Sequence, residues 1–542
     1  MSVSKIDGEL FKKMVLNGAI NLKNNHSEID QLNVFPVPDG DTGTNMQMTV
    51  MSGVREMESC ESSSICDIAK ALSRGALMGA RGNSGVILSQ YFRGVYQGIK
   101  EASDNVLSIS DFINCLECGY KIAYKAVMNP VEGTILTVVR EAAETVVANC
   151  SKFKTIEAVL DAYVKQARIT LEHTPDLLPV LKEAGVVDSG GAGFIKIVEG
   201  MILALKGRIL ESIDNNVEEQ SGAERLGEVD IKYGYCTEFI IDLKNKDAFQ
   251  ESDLKAPLSL MGDSLVLVQD ENLVKVHVHT NTPGEALNTA QKYGEFVKIK
   301  VENMRLQHSE LINKAEDVKT KERKKYAIIA VCFGEGIKNT FKELGVDYVI
   351  EGGQTMNPST EAFVNAIEEV NADNVIILPN NGNVIMAAEQ AIGLCPTSNV
   401  RVLKAKTVAQ GYASLMAFDQ TTDLDTNCSE MTNAINNVKS GEITYSIRDT
   451  EINGIKICAN DYMGISDGEI VVSTKERVDA THELLRKRID SDSEIVTIFY
   501  GCDVSSDEAK ELVDFCQSLN EDLEVELIDG SQEIYSYIIA IE

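Results

Sequence analysis

Residues 33–45 read NVFPVPDGDTGTN, and this stretch breaks a chain of otherwise helical patterns. Pro36, Pro38, Gly40 and Gly43 keep it out of a regular helix, and Asp39 and Asp41 stand two residues apart inside it. In an extended or turn conformation, oxygen ligands so spaced converge on a hard cation, and the glycine between them lets the chain bend tightly. Thr42, Thr44 and Asn45 add neutral hydroxyl and amide groups. Asp-Gly is also among the commonest turn dipeptides, so the stretch taken alone reads as a plain turn. Its surroundings decide between the two readings.

On both sides, apolar residues recur at spacings of three and four from residue 1 to 208. The spacing predicts helices over residues 7–24, 64–78, 84–101, 110–127, 134–148, 155–174 and 191–204, hence an all-α domain at 1–208. Two more glycine-rich interruptions fall between these helices. In MGARGNSGVILSQYF, residues 78–92, Gly79, Gly82 and Gly85 let backbone amides approach a phosphate, and Ser84 or Gly85 opens a helix whose N-terminus favours anions. No Lys-Ser or Lys-Thr follows, so this is not a Walker sequence. In VVDSGGAGF, residues 186–194, Asp188 precedes a flexible turn and then a helix. Each loop alone suits an ordinary helix connection. Three in one helical domain favour a ligand.

The charge balance narrows the ligand class. A formal net charge of -32 over 542 residues argues against binding a nucleic-acid backbone, which needs clustered Lys and Arg, and against an anionic membrane surface as a direct partner. An anionic ligand must then be held by metal ions, backbone amides or a few positioned cations. With 44% hydrophobic and 25% charged residues the chain reads as an ordinary soluble protein of about three domains. The opening MSVSKIDGELFKKM has no apolar core of signal-peptide length, and longer apolar runs such as residues 194–210 are interrupted by charges. The expectation is a cytoplasmic protein with no membrane insertion. Its 12 cysteines are scattered among apolar neighbours, as reduced thiols are; the one close pair, Cys115 and Cys118, lies in a helical pattern.

Residues 211–228 are acidic and poor in apolar groups, and residues 313–325 form a charge run, so both read as linkers. The segment 230–308 between them alternates strand and helix signals in the order βαββαβ, that of a ferredoxin-like α+β sandwich. Residues 325–542 alternate short buried strands (YAIIAVC, NVIILP, VRVLKA) with helices and end in further strands. This is an α/β domain, open to division into two lobes. Its turns GGQTMNPS (352–359) and LPNNGN (378–383) suit ligand loops at strand ends and equally any α/β connection.

Two of the six histidines stand at His277 and His279 in VKVHVHT. By the period of two, Val274, Val276 and Val278 face one side and Lys275, His277 and His279 the other. The pair can ligate Zn²⁺ together with Cys236, serve as donors or general acid/base groups toward a phosphate, or form the polar face of an ordinary sheet. His308 reads as a surface residue at the start of the basic linker.

DGDTGTNM with GNSGVIL and VDSGGAGF resembles the nucleotide-binding L-type subunit of dihydroxyacetone kinases. That family implies an all-α helical barrel holding two Mg²⁺ with aspartates and covering ATP with a glycine loop. The fuller wording LNVFPVPDGDTGTNM, with VKVHVHTNTPG and ENMRLQH, is similar to the nucleotide-binding subunit of bacterial fatty acid kinase, and the likeness runs the whole chain. Carried over, the resemblance implies Asp39 and Asp41 as Mg²⁺ ligands and Thr42, Gly43, Thr44 and Asn45 beside the nucleotide. It implies Gly82, Asn83, Ser84 and Gly85 as the phosphate-covering loop, Thr134 and Asp188 at the nucleotide, and a Cys236, His277, His279 site in the middle domain. Two departures stand out. The third aspartate of the dihydroxyacetone pattern has its nearest counterpart in Asn33, one residue further away, which leaves one Mg²⁺ held differently. Lys182 stands where that pattern has Arg, so polyol specificity does not transfer. The implied activity is ATP-dependent phosphorylation of a fatty acid presented by a separate lipid-binding protein, yielding an acyl phosphate for phospholipid synthesis. The rivals are a small-polyol kinase and a non-enzymatic nucleotide-sensing adaptor; under all three the region 325–542 suits partner docking or homodimerisation.

Overall fold

The computed structural model describes residues 3–33, 41–102, 105–211, 233–244, 249–270, 272–303, 323–352 and 357–542. Asp39 and His308 lie outside the described residues. The chain forms two compact units, residues 1–215 with 323–542, and residues 216–322. The regions 1–208 and 325–542, separate by sequence pattern, thus pack together in one unit.

The N-terminal lobe is helical: α1 (Gly8–Asp30), α2 (Thr42–Glu58), α3 (Ile65–Met78), α4 (Gly82–Glu101), α5 (Ile109–Ala126), α6 (Ile135–Ala148), α7 (Ile156–Leu177), α8 (Pro179–Ala184) and α9 (Ser189–Leu205). Local chemistry sets the starts. Asp7 accepts the Leu10 amide, Ser108 and Asp111 form a reciprocal capping box, and Thr155 and Asp188 accept the amides of Ala158 and Gly191. Helices α1 and α9 meet where Gly18 and Gly200 face each other; a Cβ on Gly200 would stand 2.7 Å from the Gly18 Cα. Gly94 and Gly98 of α4 give the same closeness to α5 at Cys118 and Cys115, so the cysteine pair serves helix packing. Burial pushes the Cys115 thiol far up.

Two helix starts differ from expectation. Residues 42–45 are the first turn of α2 and not irregular chain. The Asp30 carboxylate, at the end of α1, accepts the amides of Gly43 (2.6 Å) and Thr44 (3.1 Å), which satisfies first-turn donors that would otherwise need water. Helix α4 starts at Gly82, so Asn83, Ser84 and Gly85 form its first turn and not a loop before it. Among the described residues no helix is long and apolar enough to cross a membrane.

The C-terminal lobe contains β5 (Lys324–Cys332), α12 (Glu335–Glu343), β6 (Tyr348–Glu351), α13 (Thr360–Val370), β7 (Ala372–Leu378), α14 (Ile385–Ile392), β8 (Asn399–Val402), α15 (Val408–Met416) and α16 (Leu424–Asn437). It continues through β9 (Lys439–Tyr445), β10 (Thr450–Ile452), β11 (Ile455–Ile457), β12 (Tyr462–Ser466), β13 (Glu469–Thr474), α17 (Arg477–Arg488), β14 (Ile495–Tyr500), α18 (Ser506–Leu519), β15 (Glu524–Asp529) and β16 (Tyr537–Ile541). A parallel sheet has the order β6-β5-β7-β8, and a mixed sheet the order β13-β12-β9-β16-β14-β15. Residues 327–332 of β5 are buried without a break, as a parallel strand covered on both faces requires. The lobes share a core: Ala80 and Val86 pack into the same cluster as Phe363, Ala387 and Ala388.

The second unit runs β1 (Tyr235–Leu243), α10 (Glu251–Met261), β2 (Gly262–Asp270), β3 (Leu273–Thr280), α11 (Pro283–Ala290) and β4 (Gly294–Asn303). Its sheet is antiparallel in the order β2-β3-β1-β4. Val274, Val276 and Val278 are fully buried with Leu254, Leu258 and Ala286 of the helices, as their alternation predicts.

Candidate functional site

A cavity of about 390 Å³ opens between the helical lobe and the α/β lobe. The helical lobe lines it with Asn33, Asp41, Thr42, Asn45, Asn83 and Ser84. The α/β lobe contributes the loop after β7 (Asn381, Gly382, Asn383), the segment after β8 (Lys406, Thr407, Gln410), and Glu442, Ile465, Asp467, Gly468 and Tyr535. Loops beyond the carboxyl ends of parallel strands are where open α/β sheets bind ligands.

Asp41 occupies the cap position of α2, yet its side chain makes no capping bond. Asp30 has taken that role, and its Oδ2 also accepts the Thr44 hydroxyl at 2.8 Å. Burial raises the Asp30 carboxyl above its usual range, with the Thr44 and Gly43 hydrogen bonds pulling the other way. Asp41 instead lines the cavity, with Oδ2 accepting a 2.5 Å hydrogen bond from the Asn357 side-chain amide. Asn357 is held in turn: its backbone carbonyl accepts Arg81 Nη1 at 2.8 Å. Its Oδ1 is buried and has no partner among the described residues.

Asn33 Oδ1 accepts the hydroxyls of Thr42 (2.7 Å) and Ser189 (3.3 Å), tying the end of α1 to the starts of α2 and α9. Arg448 of the α/β lobe donates to the carbonyls of Gln31 (2.7 Å) and Asn33. Burial lowers the Arg448 pKa.

At the head of α4, Gly82 has φ +57°, a conformation that favours glycine, and a Cβ there would meet Asn45 Nδ2 at 2.5 Å. Asn83 Nδ2 lies 3.4 Å from Asn383 Oδ1, and its own Oδ1 is buried without a partner among the described residues. Gly43 and Gly85 have packing reasons of their own: added Cβ atoms would meet the His26 carbonyl at 2.2 Å and Thr49 Oγ1 at 2.4 Å.

Asp188 caps α9, accepting the amides of Gly191 (2.6 Å) and Ile135, and burial pushes its carboxyl up to about 6. Thr134 precedes α6 and donates to the Val131 carbonyl at 2.8 Å. Neither lines the cavity with Asp41, although Ser189 connects Asp188 to Asn33 through one residue. Lys182 lies 3.7 Å from Asp176.

In the second unit the β1–β3 register sets Cys236 opposite His279 and Glu238 opposite His277. Among the described residues, no group of three His, Cys, Asp or Glu side chains stands ready for a metal ion. The side chains of Cys236 and His277 are not among those described.

The cavity also draws in residues that the sequence does not single out: Lys406, Thr407, Gln410, Glu442 and Asp467, with Asn357 and Asp30 behind them. The loops that carry Asn357 and Asn381–Asn383 were legible as turn chemistry after strands. Lys406 had only its place between a strand and a Thr-capped helix to mark it.

Three family models match the chain in succession: the DAK2 domain over residues 36–203, the fatty acid kinase FakA-like middle domain over 232–311, and the fatty acid kinase FakA-like C-terminal domain over 327–542. The chain is 47% identical over 556 residues to protein YloV of Bacillus subtilis strain 168, and 43% identical over 554 residues to an uncharacterised protein of Staphylococcus epidermidis; each alignment covers 100% of both chains. Among solved structures, the dihydroxyacetone kinase of C. freundii in complex with AMP-PNP and Mg²⁺ aligns to 37% of this chain and 35% of its own, at 17% identity and a TM-score of 0.28.

Proposed function

Since the chain belongs to the FakA-like family, a family of fatty acid kinase subunits, we propose that it transfers the γ-phosphoryl group of ATP to the carboxylate of a fatty acid. The acid is presented by a separate lipid-binding protein, and the product is an acyl phosphate that feeds phospholipid synthesis. The observation that carries the reading is the cavity that gathers Asp41, Asn33, Thr42, Asn45, Asn83 and Ser84 against the α/β lobe.

The residues fit a magnesium nucleotide. A carboxylate spared from helix capping, neutral oxygens around it, and a buried Asn83 Oδ1 without a described partner make the oxygen-rich, incompletely satisfied surroundings that Mg²⁺ and its waters take. Asp41 would hold the metal with Asp39, and Asn33 contributes a neutral oxygen already committed to Thr42 and Ser189. Bound there, Mg²⁺ supplies neutralisation of charge on the β and γ phosphates. The first turn of α4 borders the cavity through Asn83 and Ser84, and a helix N-terminus favours phosphate, whereas the Gly43 and Thr44 amides of α2 are already taken by Asp30. Gly82 lets the chain enter α4 tightly enough for Asn45 to pack against it. In the transfer a carboxylate oxygen of the acceptor bonds to the γ-phosphorus while the bond to the β,γ-bridging oxygen breaks, and ADP leaves with that electron pair. No proton needs abstracting from a carboxylate acceptor, so positioning and electrostatics suffice. Asp188, outside the cavity lining, orders the starts of α6 and α9 behind Asn33.

For the second unit, the βαββαβ order with its antiparallel β2-β3-β1-β4 sheet supports a ferredoxin-like reading. The Cys236–His279 pairing supports a Zn²⁺ set of Cys236, His277 and His279. Calorimetric titration of the full chain tests the nucleotide reading: ATP should bind with Mg²⁺ and much more weakly after EDTA. Equal binding in both conditions would refute the metal's role.

A further inference from the structure

We infer that Lys406, in the α/β lobe, binds a phosphate group of the nucleotide, so that the C-terminal lobe completes the phosphate site from the side opposite Asp41. This rests on the nucleotide reading above. Among the described residues lining the cavity, Lys406 is the one cation. In a chain of net charge -32, a lysine in an acid-bearing cavity would be expected to find a carboxylate, yet no ion pair engages its ammonium among the described residues. Of the two acids on the same wall, Glu442 and Asp467, Asp467 accepts the Ser440 amide at 3.0 Å and pairs with Arg488.

The backbone beneath Lys406 is fixed. Its amide donates to Gln410 Oε1 at 2.7 Å, and the adjacent Thr407 hydroxyl oxygen accepts the Gln410 amide at 3.2 Å and lies 2.9 Å from the Ser440 hydroxyl. The amine is therefore carried on an anchored base while its head stays available. Residues 406–410 open α15 beyond the end of β8, so the N-terminus of that helix and the ammonium address the cavity together. Across the cavity, the buried Asn83 Oδ1 and the first turns of α2 and α4 form the other wall. A polyphosphate between these walls would place negative charge against a cation that no described carboxylate neutralises.

The test uses the full chain and measures the MgATP dissociation constant for wild type, Lys406→Ala and Lys406→Arg across a range of salt concentrations. Lys406→Ala should weaken binding on the order of tenfold, as loss of a charge-assisted hydrogen bond does. Its salt dependence should also become shallower, and Lys406→Arg should recover most of the affinity. Because Lys406 is exposed, melting temperatures should match and folding should not confound the comparison. Wild-type affinity and salt dependence in Lys406→Ala would overturn the inference and leave the nucleotide reading intact. Failure of the wild type to bind MgATP would overturn both.

Discussion

The Asn357 side-chain amide donates a 2.5 Å hydrogen bond to the Asp41 carboxylate across 316 residues of sequence. Asn357 is itself anchored by Arg81 through its backbone carbonyl, so Asp41 is oriented by a loop that its own lobe holds in place. Removing a hydrogen bond to a charged group costs about 1.5–3 kcal/mol. Asn357→Ala should therefore raise the Mg²⁺ concentration for half-maximal activity by about tenfold or more. An unchanged Mg²⁺ titration in Asn357→Ala would show that the bond does not orient a metal ligand.

Gly43 lies in the first turn of α2, where an added Cβ would stand 2.2 Å from the His26 carbonyl of α1. Backbone cannot yield as a side chain can. Gly43→Ala should destabilise the protein by roughly 1–3 kcal/mol, the usual cost of overpacking. Chemical denaturation of both proteins checks it.

Burial holds the Asp188 carboxyl at about 6, against about 3.9 in an unfolded chain. The native state therefore binds this proton more tightly. The stability it contributes is fully present below about pH 3.9 and is lost as pH rises through about 6. Asp188→Asn cannot titrate and keeps an oxygen for the Gly191 and Ile135 amides. Relative to wild type, its stability should rise by about 3 kcal/mol from pH ~4 to pH ~7, at about 1.36 kcal/mol per pK unit. Parallel pH–stability curves for the two proteins would contradict this.

Zinc analysis addresses the second unit. Intact protein should carry about one equivalent per chain, as a site of three protein ligands requires, and Cys236→Ser should carry much less. Equal zinc in both removes Cys236 from the set.

Much of this architecture was legible because it rests on local chemistry. The caps at Asp7, Ser108 and Thr155 and the valine alternation 274–278 are signals within a few residues of where they act. The two helix starts that differ, at Thr42 and Gly82, depend on partners elsewhere in the chain. Asp30 reaches across from α1 to supply acceptors for the first turn of α2, a helix the sequence reading does not name, and Gly82 packs against Asn45. The candidate site divides in the same way. Asp41, Asn45, Asn83 and Ser84 were marked by their motifs, whereas Asn357 and Lys406 reach the same cavity only through the packing of two lobes, which leaves no periodicity to read.

Phosphoryl transfer at the Asp41 site to a presented fatty acid leaves a trappable product. Its most direct measurement is hydroxylamine trapping in a mixture of the full chain, MgATP and a fatty-acid-loaded lipid-binding protein from the same organism. The wild type should form acyl hydroxamate and ADP in equal amounts, only with the lipid-binding protein present, and Asp41→Ala should form neither. Undiminished hydroxamate from Asp41→Ala, or none from the wild type under any of these conditions, would rule out phosphoryl transfer to a fatty acid at this site.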